Sequence, residues 1–243
     1  MSQSKIRVWN LGLYFHRPRK SRWPTFDTSA PDEFVRLDRK EWVLKGINLS
    51  VDKGETIAVL GRNGAGKTTL MRVLEGSLLP DRGSCVTDTR PISMSSLMTG
   101  FDGQSSVVDN LKSLGHLRGL RSRDLDEFAR EVIDFAGLVD KTHHPYKMLS
   151  TGMKSRLGFS FAHIFEPDIL LVDEGFANGD RWFVDKSQKS ISRYLSSGKT
   201  VLMTSHSEKL LKETCSRGVV LKRGRVVFDG PIDKAFVAYY SDG

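Results

Sequence analysis

The stretch that most constrains this chain is Gly61-Arg62-Asn63-Gly64-Ala65-Gly66-Lys67-Thr68-Thr69. It fits G-x-x-x-x-G-K-[ST], a loop that cradles phosphate groups. Its flanks supply the required context. Ahead of it, Thr56-Ile57-Ala58-Val59-Leu60 is short, apolar and rich in β-branched residues, which predicts a buried strand. Behind it, Leu70, Met71, Val73 and Leu74 are spaced as one helix face. The glycines let backbone N–H groups converge on a triphosphate, and the helix N-terminus adds partial positive charge. Lys67 is placed to reach the β- and γ-phosphates, and the Thr68 hydroxyl is a candidate Mg²⁺ ligand.

The rest of the chain narrows the setting. Its 243 residues suffice for one large domain, or a domain with a subdomain. No run approaches the ~18 apolar residues that span a bilayer. No apolar segment follows Met1-Ser2-Gln3-Ser4-Lys5, so no secretory leader is expected. Cys85 and Cys215 make no metal or redox spacing and read as free thiols in a reducing compartment. A soluble cytosolic protein is therefore expected. The net charge of +8 points to an anionic neighbour. Nucleic acid, an anionic membrane surface and nucleotide phosphates all qualify, and no nucleic-acid-binding signature is present.

Read in order, Ile6–Leu11 alternates as a strand. Residues 16–40 carry Arg17, Arg19, Lys20, Arg22, Pro24 and Pro31 with little apolar periodicity, so a basic insertion loop is expected. Trp42–Leu44 and Ile47–Val51 resume strand character, and Asp52–Glu55 is a turn. Ser84–Ile92 reads as a strand pair. The pattern is helical from Val107 to Phe165, with Leu125, Phe128, Val132 and Phe135 on one face and a helix from Met153. Ile169–Val172 and Lys199–Thr204 are buried strands, and Val219–Val227 reads as a hairpin around Arg223-Gly224. Alternating strands and helices predict an α/β core around a largely parallel sheet.

Three further stretches carry chemistry. Asp173 and Glu174 end the apolar run Ile169–Val172, where a P-loop fold places its Mg²⁺ carboxylate. Asp173 fits that role, and Glu174 can orient or deprotonate an attacking water. Leu149-Ser150-Thr151-Gly152-Met153 precedes a helix whose N-terminus can bind phosphate. Thr204-Ser205-His206-Ser207 follows the next strand, where an imidazole can hydrogen-bond a phosphate.

In this order the motifs resemble those of the ATP-binding-cassette family, whose signature is usually written Leu-Ser-Gly-Gly-Gln. The resemblance runs from Trp9 to about Gly230. It implies a P-loop NTPase (RecA-like) core with an antiparallel β subdomain and an inserted α-helical subdomain at about 100–165, all within one domain spanning 1–243. It also implies ATP and Mg²⁺ as cofactors. Residues 149–153 would contact ATP held by the other subunit of a homodimer. His206 would be the switch histidine, and Ala177-Asn178-Gly179-Asp180 the D-loop where subunits touch. The adenine-stacking aromatic would be Tyr14, Phe15 or Trp42, with Tyr14 the first candidate. The Q-loop position falls on Asp102, with Gln104 two residues on.

Residues 150–159 and 173–183 are similar to those of exporters of capsular polysaccharide, O-antigen and teichoic acid, in which Met153 and Gly179-Asp180 are group features. That similarity implies a peripheral ATPase on the cytoplasmic face of the plasma membrane. It would power integral permease subunits that handle the polysaccharide, and no nucleic acid would be bound. The end at Gly243, soon after the last strand, leads us to expect no added carbohydrate domain and a capsule-type cargo. A non-transport cassette acting on nucleic acid or ribosomes would show a long coiled coil or tandem cassettes. A GTPase would show a guanine-reading Asn-Lys-x-Asp. Neither pattern occurs.

Overall fold

The computed structural model describes residues 4–16, 40–94, 97–173, 181–205 and 207–241. Three strands form a small antiparallel sheet: β1 (Ser4–His16), β2 (Lys40–Asp52) and β4 (Arg82–Thr87), in the order β2-β1-β4. The larger sheet holds β3 (Thr56–Leu60), β5 (Ile92–Ser93), β6 (Ile169–Val172), β7 (Thr200–Met203), β8 (Arg217–Lys222) and β9 (Arg225–Pro231). Its order is β5-β6-β7-β3-β8-β9, parallel except for the β8–β9 hairpin. The helices are α1 (Lys67–Leu74), α2 (Val107–Leu117), α3 (Leu125–Ala136), α4 (Thr151–Phe165), α5 (Arg181–Ser196), α6 (Glu208–Thr214) and α7 (Ile232–Tyr240).

Continuous apolar strands are what a sheet covered on both faces requires. In β3, Ile57 and Val59 join a core made with α1 and the small sheet. Ala58 and Leu60 join the other core, made with α2, α3, α4 and α7. Strands β6 and β7 divide their residues in the same way, because successive side chains leave a strand on opposite faces. Each fully buried Leu, Ile or Phe contributes roughly 1.5–3 kcal/mol.

Helix boundaries follow local chemistry. Ser106 caps α2 by accepting the Asp109 N–H at 3.1 Å. Gly137, in the left-handed conformation, ends α3. On α3 the buried face is Phe128, Ala129, Val132, Ile133 and Ala136, with Phe135 packed against it. Helix α4 begins at Thr151, two residues before the expected Met153, because the Ser150 side chain caps it. Cys215 is buried, which pushes its thiol up to about 11 and leaves it inert at neutral pH.

The Ser84–Ile92 strand pair is corrected. Arg82–Thr87 pairs with β1 in the small sheet, whereas Ile92–Ser93 lies beside β6 in the large one. Ile92 and Ser93 are buried on both sides, and the chain crosses between sheets through Asp88–Pro91. A hairpin and a crossover have the same local pattern, so only tertiary packing separates them.

One contact pins the nucleotide loop from behind. Arg223 (φ 47) and Gly224 (φ 78) form the two-residue β8–β9 turn. The Gly224 N–H donates to the Ala65 carbonyl at 3.0 Å, and the Lys45 N–H donates to the Gly224 carbonyl at 2.7 Å. A Cβ at Gly224 would lie 2.1 Å from the Val43 carbonyl oxygen. Gly224→Ala therefore combines a left-handed backbone penalty with overpacking, and should lower stability by about 2–4 kcal/mol. Urea unfolding should show an earlier midpoint at constant slope. An unshifted midpoint would mean the turn is not the brace described.

Candidate functional site

Strand β3 delivers Gly61 at its carboxyl end, and α1 starts at Lys67. Gly66 caps α1 at φ 108, and a Cβ there would lie 2.9 Å from Leu44 Cδ2. That conformation and that close approach require glycine. The Lys67 ammonium donates to the Gly61 carbonyl at 2.7 Å, so it folds across the loop it closes. Arg62, Asn63, Gly64 and Thr68 are exposed, Lys67 and Thr69 are half-buried, and Ala65 is buried beneath them. Two cavities open on this loop. One, of about 500 Å³, is shared by Gly61, Asn63 and Lys67 with Ser205, Glu208 and Tyr240. The other, of about 330 Å³, runs between residues 61–65 and the β8–β9 turn.

The acidic strand end is held by a residue the sequence reasoning missed. Thr204, 2% exposed at the end of β7, donates its hydroxyl to Asp173 Oδ1 at 2.7 Å. Its N–H donates to the Val172 carbonyl at 2.8 Å. The signal was present only as a threonine one strand over, because the β6–β7 pairing that joins them is tertiary. Among the described residues no group of three or more His, Cys, Asp or Glu could hold a metal alone. Mg²⁺ takes few protein oxygens and completes its shell with phosphate and water. Thr68 and Asp173 supply hard oxygen donors of that kind.

Leu149, 5% exposed, anchors the segment ahead of α4 in the core, while Ser150 and Thr151 face solvent. Ser150 Oγ accepts the Met153 N–H at 3.2 Å. Among the described residues a Cβ on Gly152 would meet nothing within 4 Å, and Met153 packs against the helical core. None of residues 149–153 lines either cavity beside the phosphate loop. Glu174, Ala177, Asn178, Gly179, Asp180 and His206 lie outside the described residues, as does 17–39 of the basic insertion. Beside His206, the Ser207 side chain caps α6. Tyr240 donates its hydroxyl to Glu208 at 2.7 Å, so α7 is tied to the first turn of α6.

Asp102 and Gln104 are both engaged locally. Asp102 accepts the Ser105 hydroxyl at 2.5 Å and the N–H groups of Gln104 and Ser105, each at 3.1 Å. The Ser105 hydroxyl first, then these amides, hold its carboxyl below the usual range. Gln104 Oε1 accepts the Lys147 ammonium at 2.8 Å. Asn110, 5% exposed, was not singled out from the sequence, yet it organises this loop. It accepts the Asp102 N–H at 2.7 Å and donates to the Asp102, Ser105 and Ser106 carbonyls.

The three aromatic candidates separate. Tyr14 meets Trp42 and His16 edge-on at 5.1 and 5.2 Å, with the Lys40 ammonium 4.5 Å from its ring centre. Trp42 lies over Gly12, with the Arg82 guanidinium 5.1 Å from its ring. Phe15, on the opposite face of β1 from Tyr14, is 46% exposed and presents the most open ring.

Comparison with known proteins places this geometry. A family profile described as "ABC transporter" matches residues 44–177. The ABC transporter protein AbcA of Aeromonas salmonicida is 36% identical over 81% of this chain and 64% of its own length. A teichoic acids export ATP-binding protein TagH of Lactococcus lactis is 33% identical over 82% of this chain and 42% of its own. The O-antigen export system ATP-binding protein RfbB of Klebsiella pneumoniae is 34% identical over 83% of this chain and 82% of its own. The chain thus spans less than two thirds of AbcA and under half of that TagH. Among solved structures, an ATP-binding subunit of an ABC transporter superposes with a TM-score of 0.71 at 20% identity, covering 97% of this chain and 94% of that one. A dimeric post-hydrolysis cassette, MJ0796, bound to ADP and Pi, gives 0.73 at 17% identity, covering 93% of this chain and 98% of that one. At these identities the structures establish the fold, and the profile match across more than half of the sequence establishes descent: the chain belongs to the ABC transporter family and carries its P-loop ATPase domain.

Proposed function

We propose that this chain is the ATP-hydrolysing subunit of an exporter that moves a cell-surface polysaccharide through a separate membrane permease. What supports the cargo class is the RfbB match, which covers most of both chains and is to a protein named for O-antigen export. TagH proteins, named for teichoic acid export, support the same class. These names favour O-antigen or teichoic acid over the capsule expected from the sequence. No helix among the described residues is long and apolar enough to cross a membrane. A peripheral position on the cytoplasmic face, docked on permease subunits, follows from the proposal.

In this reading the residues divide the work. Backbone N–H groups of residues 61–69 and the Lys67 ammonium hold the β- and γ-phosphates. Thr68 and Asp173 hold Mg²⁺, with Asp173 aimed by Thr204. Bound Mg·ATP supplies the scissile phosphoryl group with its charge partly neutralised. Glu174 takes the proton of the attacking water, and His206 donates to a γ-phosphate oxygen. The Ser150–Gly152 helix start serves the partner's nucleotide, since it lines neither cavity on its own phosphate loop. Phe15 or Tyr14 stacks on adenine.

Two measurements test this. Co-purification of the tagged chain with a membrane protein encoded beside it is expected, and its absence would count against the transporter reading. For assembly, Lys67→Ala and Ser150→Arg chains should each be inactive alone. Mixed, they should recover part of the ATPase activity, because one composite site in each mixed dimer is intact. Full-rate hydrolysis by a strictly monomeric wild-type chain would overturn the shared site.

A further inference from the structure

We propose that the outer face of the small sheet carries a second anion site, built from Lys45, Arg82 and Arg225, that takes a phosphate-bearing ligand. These cations line a cavity of about 340 Å³ together with Asn10, Gly12 and Trp42, and no residue of the 61–69 loop lines it. They converge from three strands: Lys45 from β2, Arg82 from β4 and Arg225 from β9. Among the described residues, no carboxylate forms an ion pair with any of the three. Three like charges facing one cavity repel, and an anion placed among them relieves that repulsion.

Two of the three cations also have support. Trp42 crosses from β2 over β1, close enough that a Cβ on Gly12 would lie 2.8 Å from Trp42 Cζ3. Its ring carries the Arg82 guanidinium at 5.1 Å. Arg225 Nη1 makes a long contact, 3.5 Å, to the Lys45 carbonyl oxygen. The backbone beneath is irregular. Strand β1 bulges between Val8 and Leu11 and again between Leu11 and Leu13. Asn10 stands at φ 46, uncommon for a residue other than glycine, opposite Gly46 at φ 66. Bulges re-aim side chains and concentrate beside sites.

Guanidinium forks match phosphate oxygens better than a point charge does. The volume falls in the range of small-ligand pockets, roughly 300–1,000 Å³. The phosphate is therefore the charged end of a larger ligand. A soluble phosphate ester and a phospholipid headgroup share that chemistry, and the test separates them.

The chain is first saturated with a nonhydrolysable ATP analogue, so that the 61–69 loop is filled. One arm titrates glycerol phosphate by calorimetry. The other sediments the protein with phosphatidylcholine vesicles, with and without phosphatidic acid. Each arm compares wild type with an Arg82→Gln, Arg225→Gln pair and with a Lys209→Gln, Lys234→Gln pair that removes equal charge from α6 and α7. The pocket pair should bind at least about tenfold more weakly per guanidinium removed, and the control pair should stay within about twofold of wild type. Loss in the glycerol phosphate arm supports a soluble ester. Loss confined to the phosphatidic acid vesicles supports a headgroup. The site is overturned if wild type binds neither probe, if the pocket pair binds as well as wild type, or if the control pair weakens binding equally.

Discussion

A Glu174→Gln variant should bind ATP as well as wild type and hydrolyse it at least about a hundredfold more slowly. The substitution keeps the shape and hydrogen-bonding reach of the side chain and removes only its basicity. Glu174 follows directly on Asp173, whose carboxylate Thr204 holds at the end of β6. The division of labour between the two acids is what the variant probes. Loss of Asp173 should weaken Mg²⁺-dependent binding as well as turnover, whereas loss of Glu174 should spare binding. Trapped before the chemical step, the variant should accumulate as an ATP-bound dimer, seen as a shift in size when ATP is added. Turnover near the wild-type rate, measured with the permease present, would move the base elsewhere, with His206 or Asp102 next in line.

The second large effect is on binding itself. Lys67→Ala should weaken ATP affinity by about a hundredfold or more, the cost of leaving phosphate charge without its partner in a partly enclosed site. Folding should change little. The side chain's bond to the Gly61 carbonyl is a single hydrogen bond, worth about 1 kcal/mol net. The helix it starts is secured by Leu70, Met71, Val73 and Leu74, all buried. A melting temperature near wild type with lost nucleotide binding is thus the expected pair of results. Undiminished binding of labelled ATP would sink the assignment of the 61–69 loop.

The strand, loop and helix around residues 61–69 are legible in the sequence because their signals are local. The loop, its strand and its helix are contiguous, and their glycines and apolar spacing are written in one stretch. The Arg223-Gly224 hairpin was legible for the same reason. What escaped depends on pairing between distant segments. Thr204 matters through its β6 neighbour, Asn110 through a loop eight residues away, and Arg82–Thr87 through β1 rather than Ile92. Alternation predicts a first strand ending at Leu11, yet β1 runs to His16, which pairs with Lys40. The bulges at Leu11 and Leu13 break the period-two pattern there, so alternation alone could not follow it.

Two glycines of this chain answer to different masters. Gly224 is demanded by its own polypeptide, where the Val43 backbone leaves no room for a side chain. Gly152 is not. It sits in the first turn of α4 with no described atom within 4 Å of where its Cβ would be, and alanine there would favour the helix by up to about 1 kcal/mol. A folding optimum for the isolated chain would place alanine there. No described residue of the chain demands glycine at 152, so we expect a requirement for it to come from atoms that another molecule brings. Scored separately for stability and turnover, substitutions at the two positions would fall in opposite quadrants, one reporting on the chain and the other on its company.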